Sequence, residues 1–414
     1  MRTARVVPAL LILLSAASAP AGEWPRFRGP DGAGVSDEKN IPVRLDKPLW
    51  KTDIPGHGHS SPVVWGDDVF LTTSRDDGKV RVLMCLSAAD GKVRWSREVE
   101  TDPIGTHKKG SPAAGSPTVD AERVYVSFLL GRKHTVIAYD KAGKELWRRQ
   151  VGEFFCKHGP GASPVVADGK VIVVNDTAGT SDPDGPGTDG ESFLTALSAA
   201  TGEPVWKAPR ATGRAVFATP LVAGRSVIAA GQAEGVTAYD LESGRKLWGT
   251  APFALRTVAS PIAADGLIIA VCGQGTGGRQ MIAVRPEAAG ADPAGKVAWE
   301  AAKMLPYVPT PVAFGKHLYV VADTGIASCF EAATGKTVWS HRLGGNYAAS
   351  PIVVDGRVYA VSEDGELVVF AADPGAYKEI ARSSAGAKVF ATPAVSGGRL
   401  FLRTHGSLLC YVGR

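Results

Sequence analysis

Long apolar runs and a strong excess of one charge are both missing from most of this sequence. Beyond residue 21 no run of roughly 18 apolar residues occurs, so no membrane-spanning helix is expected there. Lys and Arg outnumber Asp and Glu by 46 to 41, and removing Arg2 and Arg5 lowers the formal charge from +5 to +3. Such a mild excess argues against the basic surface of a nucleic-acid-binding protein, so no nucleic-acid partner is expected.

Cysteine is also scarce, with 5 among 414 residues, and an odd number leaves at least one thiol outside any internal disulfide. Cys85, Cys329 and Cys410 lie in apolar β-type runs and are expected to be buried strand residues that do not pair with one another. Cys156, in EFFCKHGPG, lies in a loop and is the better candidate for a reactive thiol. A plain structural role for Cys156 is the favoured alternative.

The first residues have the pattern of a secretory signal peptide. Arg2 and Arg5 form a basic start, residues 6–14 are apolar, and small residues follow. Ala19 and Ala21 fit a small-x-small cleavage pattern, which predicts a cut after Ala21. Residues 1–21 are therefore predicted to be a signal peptide, and the product is expected in the periplasm or outside the cell.

The remaining sequence is organised by a repeated Ser-Pro or Thr-Pro pair that opens an apolar stretch. These pairs are separated by 40 to 56 residues and begin at Ser61, Ser116, Ser163, Thr219, Ser260, Thr310, Ser350 and Thr392. A period of about 40 to 50 residues with short β-type runs and Gly-rich turns is typical of a β-propeller with one four-stranded blade per repeat.

A second repeated motif, Gly-x-x-x-Trp, runs in phase with the first. It ends at Trp95, Trp147, Trp206, Trp248, Trp299 and Trp339. The constant position of these tryptophans on the last strand of each repeat predicts that they wedge between neighbouring blades.

The two ends of the chain complement each other. The last repeat stops without a tryptophan strand, whereas DKPLWKTDI, with Trp50, precedes the first anchor. An N-terminal strand that completes the last blade would close the ring and remove two exposed sheet edges. The sequence therefore predicts an all-β, eight-bladed propeller of four-stranded antiparallel blades over residues 46–414, preceded by a lead-in segment at 22–45 and expected to be monomeric.

Repeats such as SAADGKVRW, SAATGEPVW and EAATGKTVW resemble the repeat of the pyrroloquinoline-quinone (PQQ) propellers over roughly residues 46–412. That family includes periplasmic quinoprotein alcohol dehydrogenases and non-catalytic propellers such as the one in the outer-membrane protein assembly machinery. The opening WPRFRGPDGAGVS resembles the lead-in of exported PQQ-repeat proteins of unassigned role.

For a dehydrogenase, the resemblance would imply a quinone stacked in the central channel, an adjacent Cys-Cys disulfide, and a calcium or lanthanide ion held by Glu, Asn and Asp. No two cysteines are adjacent here, and no positions match the metal ligands or the catalytic Asp. The sequence accordingly assigns no catalytic residue and no metal ligand. The cofactor is left unknown, with PQQ allowed by the family but supported by no particular residue.

Two other motifs are weighed against simpler interpretations. GQGTGG, at 273–278, matches a dinucleotide-binding pattern, but a strand follows where a helix is required, which predicts a hairpin turn. Asp182, Asp184, Asp189 and Glu191 could suggest a calcium loop, yet Pro186 and Phe193 fall where ligands are needed. The sequence favours a solvated loop there.

One candidate site follows from topology, because every connection from one blade to the next lies on the same face of an up-and-down propeller. These connections are expected to gather polar and cationic residues into a ring with no carboxylate among them: His57, His59, His107, Lys108, His158, Arg214, Arg256, Tyr307, Asn346 and Lys388. Such a ring would favour an anionic small molecule, or its imidazoles could hold a transition metal. The alternative is that these residues only cap strand ends and line a water-filled channel.

Two functions remain open from the sequence. The first is an exported, non-enzymatic scaffold that binds or assembles cell-envelope proteins, since propellers offer wide, rigid faces. The second is a PQQ-dependent periplasmic oxidoreductase of the alcohol or sugar dehydrogenase type.

Overall fold

In the computed structural model the chain forms eight β-sheets arranged as the blades of a closed ring. The structure describes residues 22–107, 109–156, 158–159, 161–180, 182–183, 185, 190–275, 277–286 and 296–413. The predicted signal peptide and Lys108 lie outside these residues. The described residues are almost entirely strands and turns, with a short 3-10 turn at Asp76–Gly78, so the prediction of an all-β fold is confirmed.

Each blade contributes strands A to D from the channel outward. The short A strands are Val63–Trp65, Thr118–Val119, Val165–Ala167, Leu221–Ala223, Ile262–Ala264, Val312–Phe314, Ile352–Val354 and Ala394–Ser396. The B strands are Asp68–Arg75, Arg123–Leu130, Lys170–Asn175, Ser226–Gly231, Leu267–Gly273, His317–Val321, Arg357–Val361 and Arg399–Arg403.

The outer half of each blade is built from the longer C strand and the rim strand D. The C strands are Val80–Ser87, Lys133–Asp140, Ser192–Ser198, Gly235–Asp240, Arg279–Val284, Ile326–Glu331, Glu366–Ala371 and Ser407–Val412. The D strands are Val93–Glu100, Glu145–Glu153, Pro204–Arg210, Lys246–Gly249, Val297–Ala301, Thr337–Arg342, Glu379–Ser384 and, for blade eight, Trp50–Asp53.

The ring is closed by the N-terminal strand, as the sequence predicts. Trp50–Asp53 pairs antiparallel with the last strand of the chain, with Trp50 opposite Cys410 and Asp53 opposite Ser407. Blade seven also gains a fifth strand that the sequence did not indicate, because Val35–Ser36 runs parallel to Ile352–Val354. The strands on either side of the Gly-rich stretch, Leu267–Gly273 and Arg279–Val284, pair antiparallel, as expected for a hairpin.

The Ser-Pro and Thr-Pro anchors form a closed circle of eight hydrogen bonds. The backbone N–H of each anchor donates to the hydroxyl oxygen of the anchor in the next blade at 2.9–3.0 Å, in the order Ser61, Ser116, Ser163, Thr219, Ser260, Thr310, Ser350, Thr392 and back to Ser61. The hydroxyl at each anchor therefore joins neighbouring blades at the channel, while the following proline opens strand A where no N–H is required.

Trp50 and five of the six motif tryptophans join neighbouring blades at the rim. Their indole N–H groups donate to a backbone carbonyl of the following blade at 2.9–3.1 Å, from Trp50 to Ala88, Trp95 to Lys141, Trp147 to Ala199, Trp206 to Leu241, Trp299 to Ala332 and Trp339 to Asp373. The motif glycine of the following blade lies under the indole, and a Cβ at Gly91, for example, would approach Trp50 closer than 3.0 Å. The Gly-x-x-x-Trp motif thus supplies both contacting residues, since its tryptophan packs on the glycine of the next blade and its glycine receives the tryptophan of the preceding blade.

Apolar residues from strands A to C fill the spaces between blades. The largest core cluster spans blades seven, eight and one and takes in Trp24, Ile41 and Leu45 of the lead-in segment. Cys85, Cys329 and Cys410 are buried on strands of separate blades, and none of the five cysteines forms a disulfide. Across the described residues, the search for helices that are long and apolar enough to span a bilayer gives no candidate.

Candidate functional site

The connections between blades and the B–C turns meet on one face of the propeller, called the mouth here. Backbone bridges join the two sets of segments, with His57 paired to Ser74 and Arg256 paired to Gly273. Lys109, before the second anchor, forms an ion pair with Glu363, in the B–C turn of blade seven, at 3.2 Å. The mouth is therefore built by two sets of loops, and the sequence prediction considered only one of them.

Three histidines gather at the mouth between blades eight and one and are called the histidine triad. The ring centroids of His57 and His59 are 4.8 Å apart, and those of His57 and His405 are 5.0 Å apart. His59 also stacks on Phe390, with centroids 4.6 Å apart. His405 lies in the B–C turn of blade eight, so reading the B–C turns as well as the blade connections would have found it.

Arg403 lies beside the histidine triad with 1% of its surface exposed. Its Nη1 donates to the Ser60 carbonyl and hydroxyl oxygens at 3.1 and 2.8 Å and to the Thr72 carbonyl at 2.6 Å. Its Nε and Nη2 atoms are buried and have no partner among the described residues. Burial alone lowers the pKa of Arg403 to about 9, with no carboxylate contributing.

The same burial acts on the imidazoles. Burial, followed by repulsion from His57, Arg403 and His405, lowers the pKa of His59 to about 3. The pKa of His57 is lowered as well, first by burial and then by His405 and Arg403. Burial and the neighbouring cations therefore disfavour the protonated forms of His57 and His59, and no carboxylate offsets this effect.

A second cluster brings His107 and His158 together, with ring centroids 4.9 Å apart. His158 also contacts Phe217, and its Nδ1 lies 3.9 Å from the sulfur of Cys156. The backbone N–H of His158 donates to that sulfur at 3.2 Å. Cys156 is half-buried in this cluster. It follows the strand that ends at Glu153 and is the one cysteine that lies in a loop, as the sequence predicts.

The mouth is not free of carboxylates, because Glu363 of blade seven pairs with Lys109 and the B–C turns of blades three and six contribute Asp182 and Asp323. Asp182, in the long B–C loop of blade three, accepts from Arg256 at 2.8 and 2.9 Å, and it is 4% exposed. Asp323, in the B–C turn of blade six, accepts from the backbone N–H of Tyr307 at 2.6 Å. Asp182 is therefore a buried ion-pair partner and not part of a solvated loop. The reason is that B–C turns share the mouth with the blade connections.

The other predicted mouth residues make mainly backbone contacts. The N–H of Arg214 donates to the Gln232 side chain at 3.3 Å. The carbonyl oxygens of Asn346 and Lys388 accept from the backbone N–H groups of Glu363 and His405 at 2.7 and 2.8 Å. These residues lie at the mouth, but the structure does not join them into one continuous ring.

The opposite end of the channel is filled by residues 24–36, called the plug. Trp24 and Val64 exchange backbone hydrogen bonds at 2.9 and 2.8 Å, and the carbonyl of Pro25 accepts from Val119 at 2.8 Å. Both partners lie on A strands, whose free inner edges face the channel. The plug therefore satisfies backbone groups that would otherwise stay unpaired along that edge.

Arg28 is the centre of the plug and is fully buried. Its three nitrogens donate to five carbonyl oxygens, namely those of Gly32, Ala33, Thr310, Pro311 and Pro351, at 2.7–3.2 Å. Burial lowers its pKa to about 9, against a smaller opposing effect of Asp31. The guanidinium thus ties the plug to the A strands of blades six and seven.

The ends of the lead-in segment are fixed to the A–B turns. The Glu38 carboxylate accepts from the backbone N–H groups of Gly397 and Gly398 at 2.7 and 2.8 Å. The Glu23 carboxylate accepts from Gly66 at 2.9 and 3.0 Å, and Lys39 pairs with Asp355. These contacts hold the segment across the turns of blades one, seven and eight.

The plug leaves little space beside it at its end of the channel. Between the plug and the A strands of blades four and five, the gap lined by Arg26 and Phe27 has a volume of about 10 Å³. A pocket for a drug-sized ligand has on the order of 300 Å³ or more, so this gap does not hold such a ligand. In the described part of the chain, no three His, Cys, Asp or Glu side chains are placed to hold a metal ion.

Three comparisons relate the chain to known proteins. Residues 43–129, 82–275 and 287–411 match the family described as outer membrane protein assembly factor BamB. No curated protein matches the sequence.

Solved structures of both branches of the predicted family share the fold. BamB from Moraxella catarrhalis is 15% identical with a TM-score of 0.60, over 88% of this chain and 97% of that one. A europium-containing methanol dehydrogenase is 11% identical with a TM-score of 0.68, over 94% and 98%. Quinohemoprotein alcohol dehydrogenase from Comamonas testosteroni is 14% identical with a TM-score of 0.69, over 96% and 81%. These likenesses show the fold, and the matched residues show that the chain belongs to the family of outer membrane protein assembly factor BamB.

Proposed function

We propose that this protein is an exported, non-enzymatic scaffold that binds partner proteins of the cell envelope through its mouth. The observation that supports the proposal is the plug, because the chain's own residues occupy one end of the channel and leave a gap of only about 10 Å³ beside Arg26 and Phe27. Family membership supports the same choice, since the family is described by a role in outer-membrane protein assembly.

The mouth is favoured over the opposite face because of its loops. The opposite face carries the A–B and C–D turns, and three of its A–B turns are already occupied by the lead-in segment. The mouth carries the long connections between blades and the B–C loop of blade three. Loops held on a rigid framework are the usual place for binding residues, which supports contact with partners there.

Site-specific photo-crosslinking compares the two faces directly. A photoreactive amino acid is placed at Asp364 or Lys388 on the mouth, and at Glu122 or Lys316 on the A–B turns as matched controls, all four positions being exposed. In cells that export the protein, we expect discrete crosslinked envelope proteins from the two mouth positions only. Equal crosslinking from both faces would contradict the assignment of the mouth.

The rival function is a quinone-dependent oxidoreductase. Its test is dye-linked oxidation of alcohols and sugars by the purified protein with added PQQ and calcium. Turnover that depends on both additions would overturn the scaffold proposal, whatever the crosslinking shows.

A further inference from the structure

Arg403 stands out among the buried arginines because it has no counter-charge and leaves two of its three nitrogens without a hydrogen bond, whereas Arg81 leaves only one. Arg28 is equally buried, yet all three of its nitrogens donate to carbonyl oxygens. Arg403 leaves Nε and Nη2 without a partner in the described structure. A buried cation with unpaired donors costs several kcal/mol of folding free energy. Such a group calls for an explanation, and a bound ion is one of the few available.

The surroundings of Arg403 select the sign of that ion. The ring of His57 contacts those of His59 and His405, with centroids 4.8 and 5.0 Å apart. The ring of His59 also stacks on Phe390, with centroids 4.6 Å apart. Each imidazole can donate a hydrogen bond, and a protonated imidazole adds positive charge. A metal cation would be repelled by the guanidinium, and the triad does not have the placement of a metal site.

Gly58, between two of the histidines, explains how the turn approaches the guanidinium. A Cβ at this position would lie 2.5 Å from Nη2 of Arg403 and 2.9 Å from the Thr72 carbonyl oxygen. Any other residue would therefore displace the arginine or lift the turn. The sequence His-Gly-His thus brings its glycine against an uncompensated guanidinium that acts electrostatically on both flanking imidazoles.

We propose that the histidine triad and Arg403 form a binding site for a small inorganic oxyanion, such as sulfate or phosphate. His57 and His405, which are the more accessible imidazoles, donate to the oxygens, and Arg403 supplies the fixed charge. This site goes beyond the proposed scaffold function, because the anion is recognised by the isolated protein and requires no partner.

The site is expected to depend on pH. The groups that face the imidazoles are Arg403, the neighbouring imidazoles and, on the adjacent connection, Lys388, whose carbonyl accepts from His405. The carboxylate of Asp53 lies at the edge of the same blade, where it accepts from Ser407 at 3.0 Å. An oxyanion stabilises protonated imidazoles, so its affinity rises as the pH falls, and its binding raises the imidazole pKa values in return.

Calorimetric titration of the full chain with sodium sulfate at constant ionic strength tests the site. We expect one saturable event that is tighter near pH 5.5 than near pH 7.5, because a bound anion favours the protonated form of His57. The exposed substitution His405→Asn should lower the affinity roughly tenfold, which corresponds to one charge-assisted hydrogen bond. His317→Asn, at the start of strand B in blade six, is the control and should change nothing.

Arg403→Lys provides a second variant that keeps the charge but not the geometry, and it should also weaken sulfate binding. Parallel titration with phosphate distinguishes a general oxyanion site from one selective for sulfate, and either result supports the proposal. Absence of saturable binding to the wild type, or equal affinity in wild type and His405→Asn, would overturn it. Neither result bears on the crosslinking experiment, so the two proposals can fail separately.

Discussion

At the residue scale, the buried ionisable groups are of two kinds. Asp176 and Arg210 pair with each other at 2.7 Å with both side chains almost fully buried, and Arg28 finds carbonyl oxygens for every nitrogen. Arg403 differs, because two of its buried nitrogens have no partner among the described residues. Full satisfaction is expected of groups that hold the fold together, whereas an incompletely paired cation beside the mouth is a candidate for contact with an anion.

His134 belongs to the first kind and gives a prediction for acid stability. Its imidazole lies between the Ser127 hydroxyl at 2.6 Å and the Asn175 amide oxygen at 2.7 Å and is 4% exposed. Burial lowers its pKa to about 4, only partly offset by Asn175. In the unfolded chain the pKa is about 6.5, so the unfolded state binds more protons between these two values.

The free energy of unfolding should therefore fall as the pH drops from about 6.5 to about 4 and should be level above that window. His134→Gln keeps an amide in place of the ring and should reduce this slope, while His59, with a similar shift, maintains part of it. Urea unfolding at several pH values measures the slope. The exposed substitution His341→Gln is the control, and an unchanged slope in His134→Gln would contradict the prediction.

At the element scale, the packing of adjacent blades depends on a contact between the tryptophan and the glycine of the repeated motif. The tryptophan of one blade covers the motif glycine of the next, and each partner recurs at the same register. Gly91 has a φ of +73° and lies against Trp50, whereas Gly66 has a φ of +57° with no atom within 4 Å of a Cβ built there. Substitution of these two glycines by alanine therefore distinguishes the free-energy cost of backbone strain from the cost of disturbing the contact between blades.

Gly91→Ala should lower the free energy of unfolding by about 3 kcal/mol, because the methyl group adds overpacking to the strain of a left-handed backbone. Gly66→Ala carries the strain alone and should cost about 1 kcal/mol. Urea unfolding of both variants gives the comparison. Equal losses would show that the glycine-tryptophan contact contributes little to blade packing.

Repetition also explains which features could be predicted from the sequence. The anchors, the tryptophans and the closing strand recur or leave a visible gap in a repeat, so the eight blades and their closure could be predicted. The plug does not recur, and its contacts are spread over A strands that are distant in sequence. Asp182 and His405 were missed for a different reason, because the B–C turns that carry them were not read together with the blade connections.

At the scale of the whole molecule, the ring is closed twice. Trp50–Asp53 completes blade eight, and the hydroxyl of Ser61 accepts from Thr392 to complete the circle of anchors. Both closures join residues from opposite ends of the chain. A propeller without its closing strand would expose two sheet edges, which favour edge-to-edge association.

Deleting residues 46–53 should therefore abolish the cooperative fold of blades eight and one and produce aggregates. Size-exclusion chromatography and thermal unfolding of the exported protein detect this outcome. The double substitution Lys51→Ala and Asp53→Ala, which keeps the backbone of the strand, is the control and should melt close to wild type. A deletion variant that stays monomeric and melts with the full-length protein would contradict closure by this strand.

The central claim for the whole molecule is that the plug, and not a quinone, occupies the channel. The most direct measurement is a titration of the purified protein with PQQ in the presence of calcium, followed by tryptophan fluorescence, because Trp24 lies in the plug and would report a ligand beside it. We predict no saturable change and no dye-linked oxidation. Stoichiometric binding of PQQ that is accompanied by turnover would contradict the claim.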